Sequence, residues 1–151
     1  MASPKWKIKN LSKTYSFRKA AEIILEERIK SVSANIKLYL KEDNPQRLHD
    51  VRISIRRLRY NVELFYPLFD TKKFMRFYNL LVNLQDVTGN VRDIYITYEN
   101  ISLFKEENID IPDNLIFRMT ERQRILTGEL RIQLYSFLKS NEMKSFIKSI
   151  R

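Results

Sequence analysis

No cysteine occurs among the 151 residues, so disulfides, thiolate nucleophiles and cysteine-ligated zinc or iron–sulfur sites are excluded. A single histidine rules out a conventional multi-histidine metal site within one chain. No metal and no cofactor is expected. Two glycines and four prolines leave little material for irregular loops, or for strands separated by turn residues. No stretch approaches the ~18 uninterrupted apolar residues of a membrane span. The opening MASPKWKIKNLSKTYS is basic but has no apolar run of the roughly 7–15 residues that a signal peptide needs. The expected location is the cytoplasm.

What is present is positive charge. The formal net charge is +10, from 28 Lys and Arg against 18 Asp and Glu. Such an excess attracts polyanions generally, whether nucleic acid, an anionic lipid surface or inorganic phosphate chains. With 44% hydrophobic and 30% charged residues the chain is globular, and its length suits one domain with one core. The expected fold is all-α: a single domain over 1–151, an antiparallel bundle of four long helices plus short terminal helices, with residues 1–15 a basic arm or pre-helix.

The organising stretch is PQRLHDVRISIRRLRYNVELFY, Pro45 to Tyr66. Leu48, Val51, Ile55, Leu58, Val62 and Phe65 recur at spacings of three and four and define the core face of a helix. Away from that face lie His49, Arg52, Arg56 and Arg59, with Arg57 on a separate flank. Arg52 and Arg56, four apart, repel each other, which a merely solvated helix has no reason to tolerate. Ile53 and Tyr60 fall in the His49 sector, either as scattered surface apolar residues or as a face covered by another helix or subunit.

The flanking segments read as partners for this helix. Lys5, Lys7, Lys9 and Lys13 add charge in the arm that carries Trp6. Ser16 is the expected N-cap of a helix reaching Lys41, with Arg28 at its apolar edge, either snorkelling or joining an anion groove. Glu42, Asp43 and Asn44 supply turn chemistry, Pro45 suits a first helical position, and Pro67 ends the organising helix. A helix with Phe74, Phe77, Tyr78, Leu81, Leu84 and Thr88 follows, and Gly89 is expected to end or bend it. Beyond it Val91, Ile94, Tyr95, Tyr98 and Ile101 share a side. Asp93 either caps this segment as a first-turn acid or orients an arginine of the central helix while Arg92 joins the basic patch. A further helix is expected from Asp113 to about Lys139, with Leu115, Met119, Leu126, Leu130, Leu134, Phe137 and Leu138 as its apolar set and Gly128 marking close packing. Asn141 is the expected cap of a short last helix.

The segments RLHDVRISIRRLRYNVELF and LLVNLQDVTGNVRDIYI together resemble the CHAD domain family, the conserved-histidine α-helical domains. The resemblance rests on His49, Arg52, Arg56, Arg57, Arg59, Arg92 and Asp93, with Gly89 in the expected place, and is distinct over Ser16 to Ile101. It implies non-catalytic binding of inorganic polyphosphate through a basic surface, in some members with targeting to polyphosphate granules. Members are commonly about twice this length, two similar four-helix bundles facing each other across a basic cavity, whereas this sequence has room for one. A homodimer supplying the second half is therefore expected, through the Ile53 and Tyr60 side or through Tyr95 and Tyr98. The physics agrees, because closely spaced phosphate oxygens call for a line of guanidinium forks without base-stacking platforms. Three rival readings stand. A histidine phosphorelay domain would use His49 as nucleophile, a nucleic-acid binder would use the net charge, at least non-specifically at low salt, and an adaptor would have its arginines pinned by carboxylates.

Overall fold

The computed structural model describes residues 7–151, so Lys5 and Trp6 of the arm lie outside the described residues. Helices α1 (Phe17–Lys41), α2 (Pro45–Phe65), α3 (Thr71–Glu106), α4 (Asp113–Leu138) and α5 (Asn141–Ile150) follow one another, with a 3-10 turn, Tyr66–Leu68, after α2. The fold is an all-α bundle, as the sparse glycine and proline require.

Local chemistry sets the boundaries. The side chains of Ser16, Asn44 and Asp70 accept hydrogen bonds from the amides of Lys19, Arg47 and Lys73, each quieting one exposed donor at a helix start. Pro45 opens α2, where its missing N–H costs nothing, and Pro67 sits in the tight turn that follows. Ser140, not Asn141, caps α5 through the Met143 amide; Asn141 is already helical. The far end of α3 closes at Asn108, with φ 59°, where the amides of Asn108 and Ile109 bond back to the carbonyls of Lys105 and Phe104. Asparagine tolerates this left-handed conformation better than other residues bearing a β-carbon.

One expectation built on glycine fails and another is narrowed. Gly89 neither ends a helix nor starts one: α3 runs through it for 36 residues, about 54 Å. The buried series Phe74, Phe77, Leu81, Leu84, Thr88, Val91, Ile94 and Ile101 keeps its helical phase across position 89, and that burial outweighs the ~1 kcal/mol a glycine costs. Gly128 does not mark close packing either, since a β-carbon at either glycine would meet nothing within 4 Å. Leu115, assigned to the core by spacing, is exposed near the tip of the α3–α4 hairpin.

Neighbours pack α1 on α2, α2 on α3, α3 on α4 and, more lightly, α4 on α1, so α2 and α4 occupy opposite corners; α5 closes the α3 side. One continuous core joins Leu25, Val32 and Ile36 of α1 to Val51, Ile55 and Leu58 of α2 and Leu81 and Leu84 of α3. It ends in a stack of rings: Phe69 on Phe74 at 4.9 Å, Phe146 on Phe74 at 4.6 Å and on Phe77 at 4.1 Å, and Phe137 on Phe77 at 6.1 Å.

Phe146→Ala should lower unfolding free energy by about 3–5 kcal/mol in a urea titration, because a fully buried ring at the centre of that stack leaves a cavity. Gly89→Ala should act in the opposite direction. An alanine there meets open space in an unbroken helix, so Tm should rise by about 2–4 °C in a calorimetric scan; a fall would mean that the position serves a bend.

Candidate functional site

The core face of α2 is fully committed, with Leu48, Val51, Ile55, Leu58, Val62 and Phe65 all buried between α1 and α3. This fixes the rotation of the helix, and the remaining side chains have to project along an outer ridge. His49 and Arg56 stand exposed on the crest. Arg57 leans toward α1, while Arg52 and Arg59 lean toward α3. The separate flank read for Arg57 is thus the α1 side.

Two grooves run beside the ridge. The larger, about 420 Å³, lies between α1 and α2 and is lined by Ser31 and Asn35 from α1 and by Gln46, His49, Asp50, Ile53 and Arg57 from α2. Arg28 extends this side: its Nε donates to Asn61 Oδ1 at 3.2 Å, tying α1 to α2, and partial burial pushes its guanidinium down from the ordinary range, with Arg57 pushing further. The smaller groove, about 250 Å³, lies between α2 and α3, with His49, Arg92, Tyr95, Ile96 and Glu99 in its walls. His49 borders both.

On the α3 side Arg52 is half-buried, and loss of water is the main force lowering it from the usual arginine range. Arg92 and Arg56 lower it too, and only Asp93 pulls the other way. The Arg52 Nε is buried without a hydrogen-bond partner. Asp93 sits in mid-helix, so it is no first-turn cap. It bears on Arg52 electrostatically, although no ion pair among the described residues includes it. Arg92 is exposed beside it.

Arg59 differs from its neighbours. Its Nε lies 3.4 Å from Glu63 Oε1, which also accepts the Tyr78 hydroxyl at 2.8 Å, and its guanidinium covers the Tyr60 ring at 5.0 Å. It is the one arginine of the α2 cluster held by a carboxylate among the described residues. Ile53 is half-buried in the α1–α2 groove, so of the two apolar residues in the His49 sector only Tyr60, 51% exposed, projects freely. Arg28, Ser31 and Asn35 were not candidates from sequence as a set. Only Arg28 carried a signal, as a basic residue at an apolar edge.

The start of α2, and with it His49, is anchored from below. Arg131 of α4 donates to the Leu40 carbonyl at 2.8 Å and pairs with Asp43 at 3.5 Å, spanning the α1–α2 turn. Tyr39 is buried beneath that turn, near Tyr95. Burial raises both phenols above the usual tyrosine range, and the Asp43 carboxylate raises them further.

An antiparallel helical bundle that displays a histidine and an arginine ridge on its second helix defines a class of basic α-helical domains. The CHAD domain family model matches residues 3–101, and the chain belongs to that family. No curated protein and no solved structure matches it. Among the described residues no helix is long and apolar enough to cross a membrane, and no cluster of His, Asp or Glu could hold a metal ion.

The raised phenols predict a pH effect with a definite sign. Tyrosines that stay neutral longer when folded contribute stability that is complete below the unfolded pKa of about 10 and is lost as pH climbs toward the folded values. Alkaline unfolding followed by circular dichroism should begin above about pH 10. Tyr39→Phe should flatten that decline while leaving stability at pH 7 within about 1.5 kcal/mol; an unchanged alkaline limb would acquit Tyr39.

Proposed function

We propose that this chain binds inorganic polyphosphate along the outer ridge of α2 and does not turn it over. The observation that carries the reading is that Arg52, Arg56, Arg57 and Arg92 gather around His49 without one carboxylate ion pair among the described residues, while open grooves flank them. Like charges held together in a folded protein cost energy, and a bound polyanion repays it. An adaptor surface would have its arginines neutralised from within, as Arg59 alone of this cluster is among the described residues.

The chemistry of the ridge suits phosphate oxygens. Guanidinium groups on successive turns of α2 repeat every ~5.4 Å of rise and present paired donors to both sides of the crest. Half-burial of Arg52 and Arg28 strengthens any ion pair they make, because less water screens it. Aromatic platforms for base stacking are missing from the crest apart from Tyr60, whose ring is covered by Arg59, so the ridge favours a bare phosphate polymer over single-stranded nucleic acid. Nothing in the donor set supplies a nucleophile with a general base, and His49 acts here as a hydrogen-bond donor at the crest.

Binding should fall steeply with salt, as counterion release requires. Arg56→Ala or Arg52→Ala should weaken polyphosphate binding roughly tenfold, the scale of a lost charge-assisted hydrogen bond, whereas Lys13→Ala, in the turn region before α1, should change it less than about twofold. Calorimetric titration against polyphosphate and length-matched RNA at physiological salt decides the ligand class. Equal or tighter RNA binding would transfer the ridge to nucleic acid, and equal losses for Arg52 and Lys13 would reduce it to bulk charge.

A further inference from the structure

Helix α4 is apolar on two opposite faces. One face, with Leu130, Leu134 and Phe137, is in the core. On the other, Phe117 is 67% exposed, Ile125 49%, Ile132 69% and Tyr135 54%. A helix with large apolar side chains on two opposite faces is satisfied when both are covered, and this one is covered on only one.

The outer residues form a seam. Phe117, Glu121, Ile125, Gly128, Ile132, Tyr135 and Lys139 recur at spacings of four and three, the alternation by which helices interlock side chains as knobs in holes. From Glu121 onward the order is symmetric about position 130. Reversing the helix lays Glu121 on Lys139, Ile125 on Tyr135 and Gly128 on Ile132. Acid therefore meets base at both ends, and at the centre the residue without a side chain faces a branched one. Gly128 is exposed with open space where its β-carbon would be, which accounts for a glycine that no contact inside the bundle requires. A parallel pairing would set Glu121 on Glu121 and Lys139 on Lys139, so the seam selects one orientation.

We infer that this chain forms a twofold homodimer through an antiparallel pairing of α4 with the α4 of a second copy, its axis passing near residue 130. A self-complementary patch is what a twofold interface demands, and a partner of other sequence would have to reproduce both the charge order and the glycine gap. Three large side chains per copy, Ile125, Ile132 and Tyr135, with the stems of Glu121, Lys139 and Arg124 beside them, bury on the order of 800 Å² in all, the scale of a weak, concentration-dependent dimer. The basic ridge of α2 lies at the opposite corner of the bundle and stays open in both copies. This moves the dimer surface from the α2 side, where Tyr60 and Leu64 project, to the corner diagonal to it.

The proposal stands independently of the polyphosphate reading, and salt separates the two. Two copies at +10 repel, so salt should strengthen the dimer while it weakens anion binding. Sedimentation at about 100 µM chain in physiological salt should give a dimer. Ile132→Glu should give a monomer with unchanged helicity, and with the wild-type Tm at dilutions where the wild type is also monomeric, because the side chain is exposed within one copy; Tyr60→Asp should stay dimeric. Glu121→Lys should weaken association about tenfold, with Lys139→Glu added to it restoring the wild-type value. For orientation, the cysteine-free chain allows single Ile125→Cys and Tyr135→Cys variants. Mixed and oxidised, they should cross-link with each other far more than either does alone. A wild-type monomer, a dimer that survives Ile132→Glu, or self-linking of each cysteine variant would each overturn the proposal.

Discussion

Burial of one face of α2 is the constraint on which the rest depends. Six large apolar side chains from Leu48 to Phe65 are removed from water, each contributing about 1.5–3 kcal/mol. Repulsion between arginines one turn apart costs a few tenths of a kcal/mol per pair. The first effect exceeds the second by an order of magnitude, so the core decides how the helix is rotated and the charges have no vote. Every property of the ridge follows from this inequality: the crest position of His49, the division of Arg57 from Arg52 and Arg59, and the absence, among the described residues, of an ion-paired carboxylate for most of them.

The periodic parts of this architecture were legible before any coordinates. Core positions of α2 and of the first half of α3, the cap at Ser16 and the stop near Pro67 follow from side-chain spacing and from the few residues able to quiet a helix end. Gly89 misled as a helix end because a single residue was weighed as punctuation. The better signal was the phase of Leu84, Thr88, Val91 and Ile94, which runs on without a step. The angular projection of α2 placed its arginines correctly around the helix but could not supply what lies alongside. Ser31 and Asn35 become groove walls only because α1 returns against α2, and such residues carry no pattern of their own. The outer seam of α4 escaped for a related reason. A search for one apolar face per helix stops when it has found one.

The family match ends at residue 101, but the folded unit does not. Phe137 and Phe146 complete the ring stack on Phe77, and Arg131 braces the turn that aims α2. Residues beyond the matched segment therefore belong to the same core and reach as far as the geometry of the ridge. Charge on one corner and an apolar seam on the diagonal corner divide the surface into two kinds of chemistry, carried by a scaffold that keeps them apart.

The bracing contact also has a temporal side. Arg131 and the Leu40 carbonyl it holds are 91 positions apart, and the Arg151–Glu26 pair is separated by 125. Synthesis delivers α1, α2 and α3 in an order that lets each pack on the one before, through short connections. Phe74 and Phe77 then wait with one flank uncovered until α5, which carries Phe146, leaves the ribosome. A chain interrupted before α5 would carry the basic ridge on an unsealed core, and such exposed aromatic surface is what chaperones hold and proteases find.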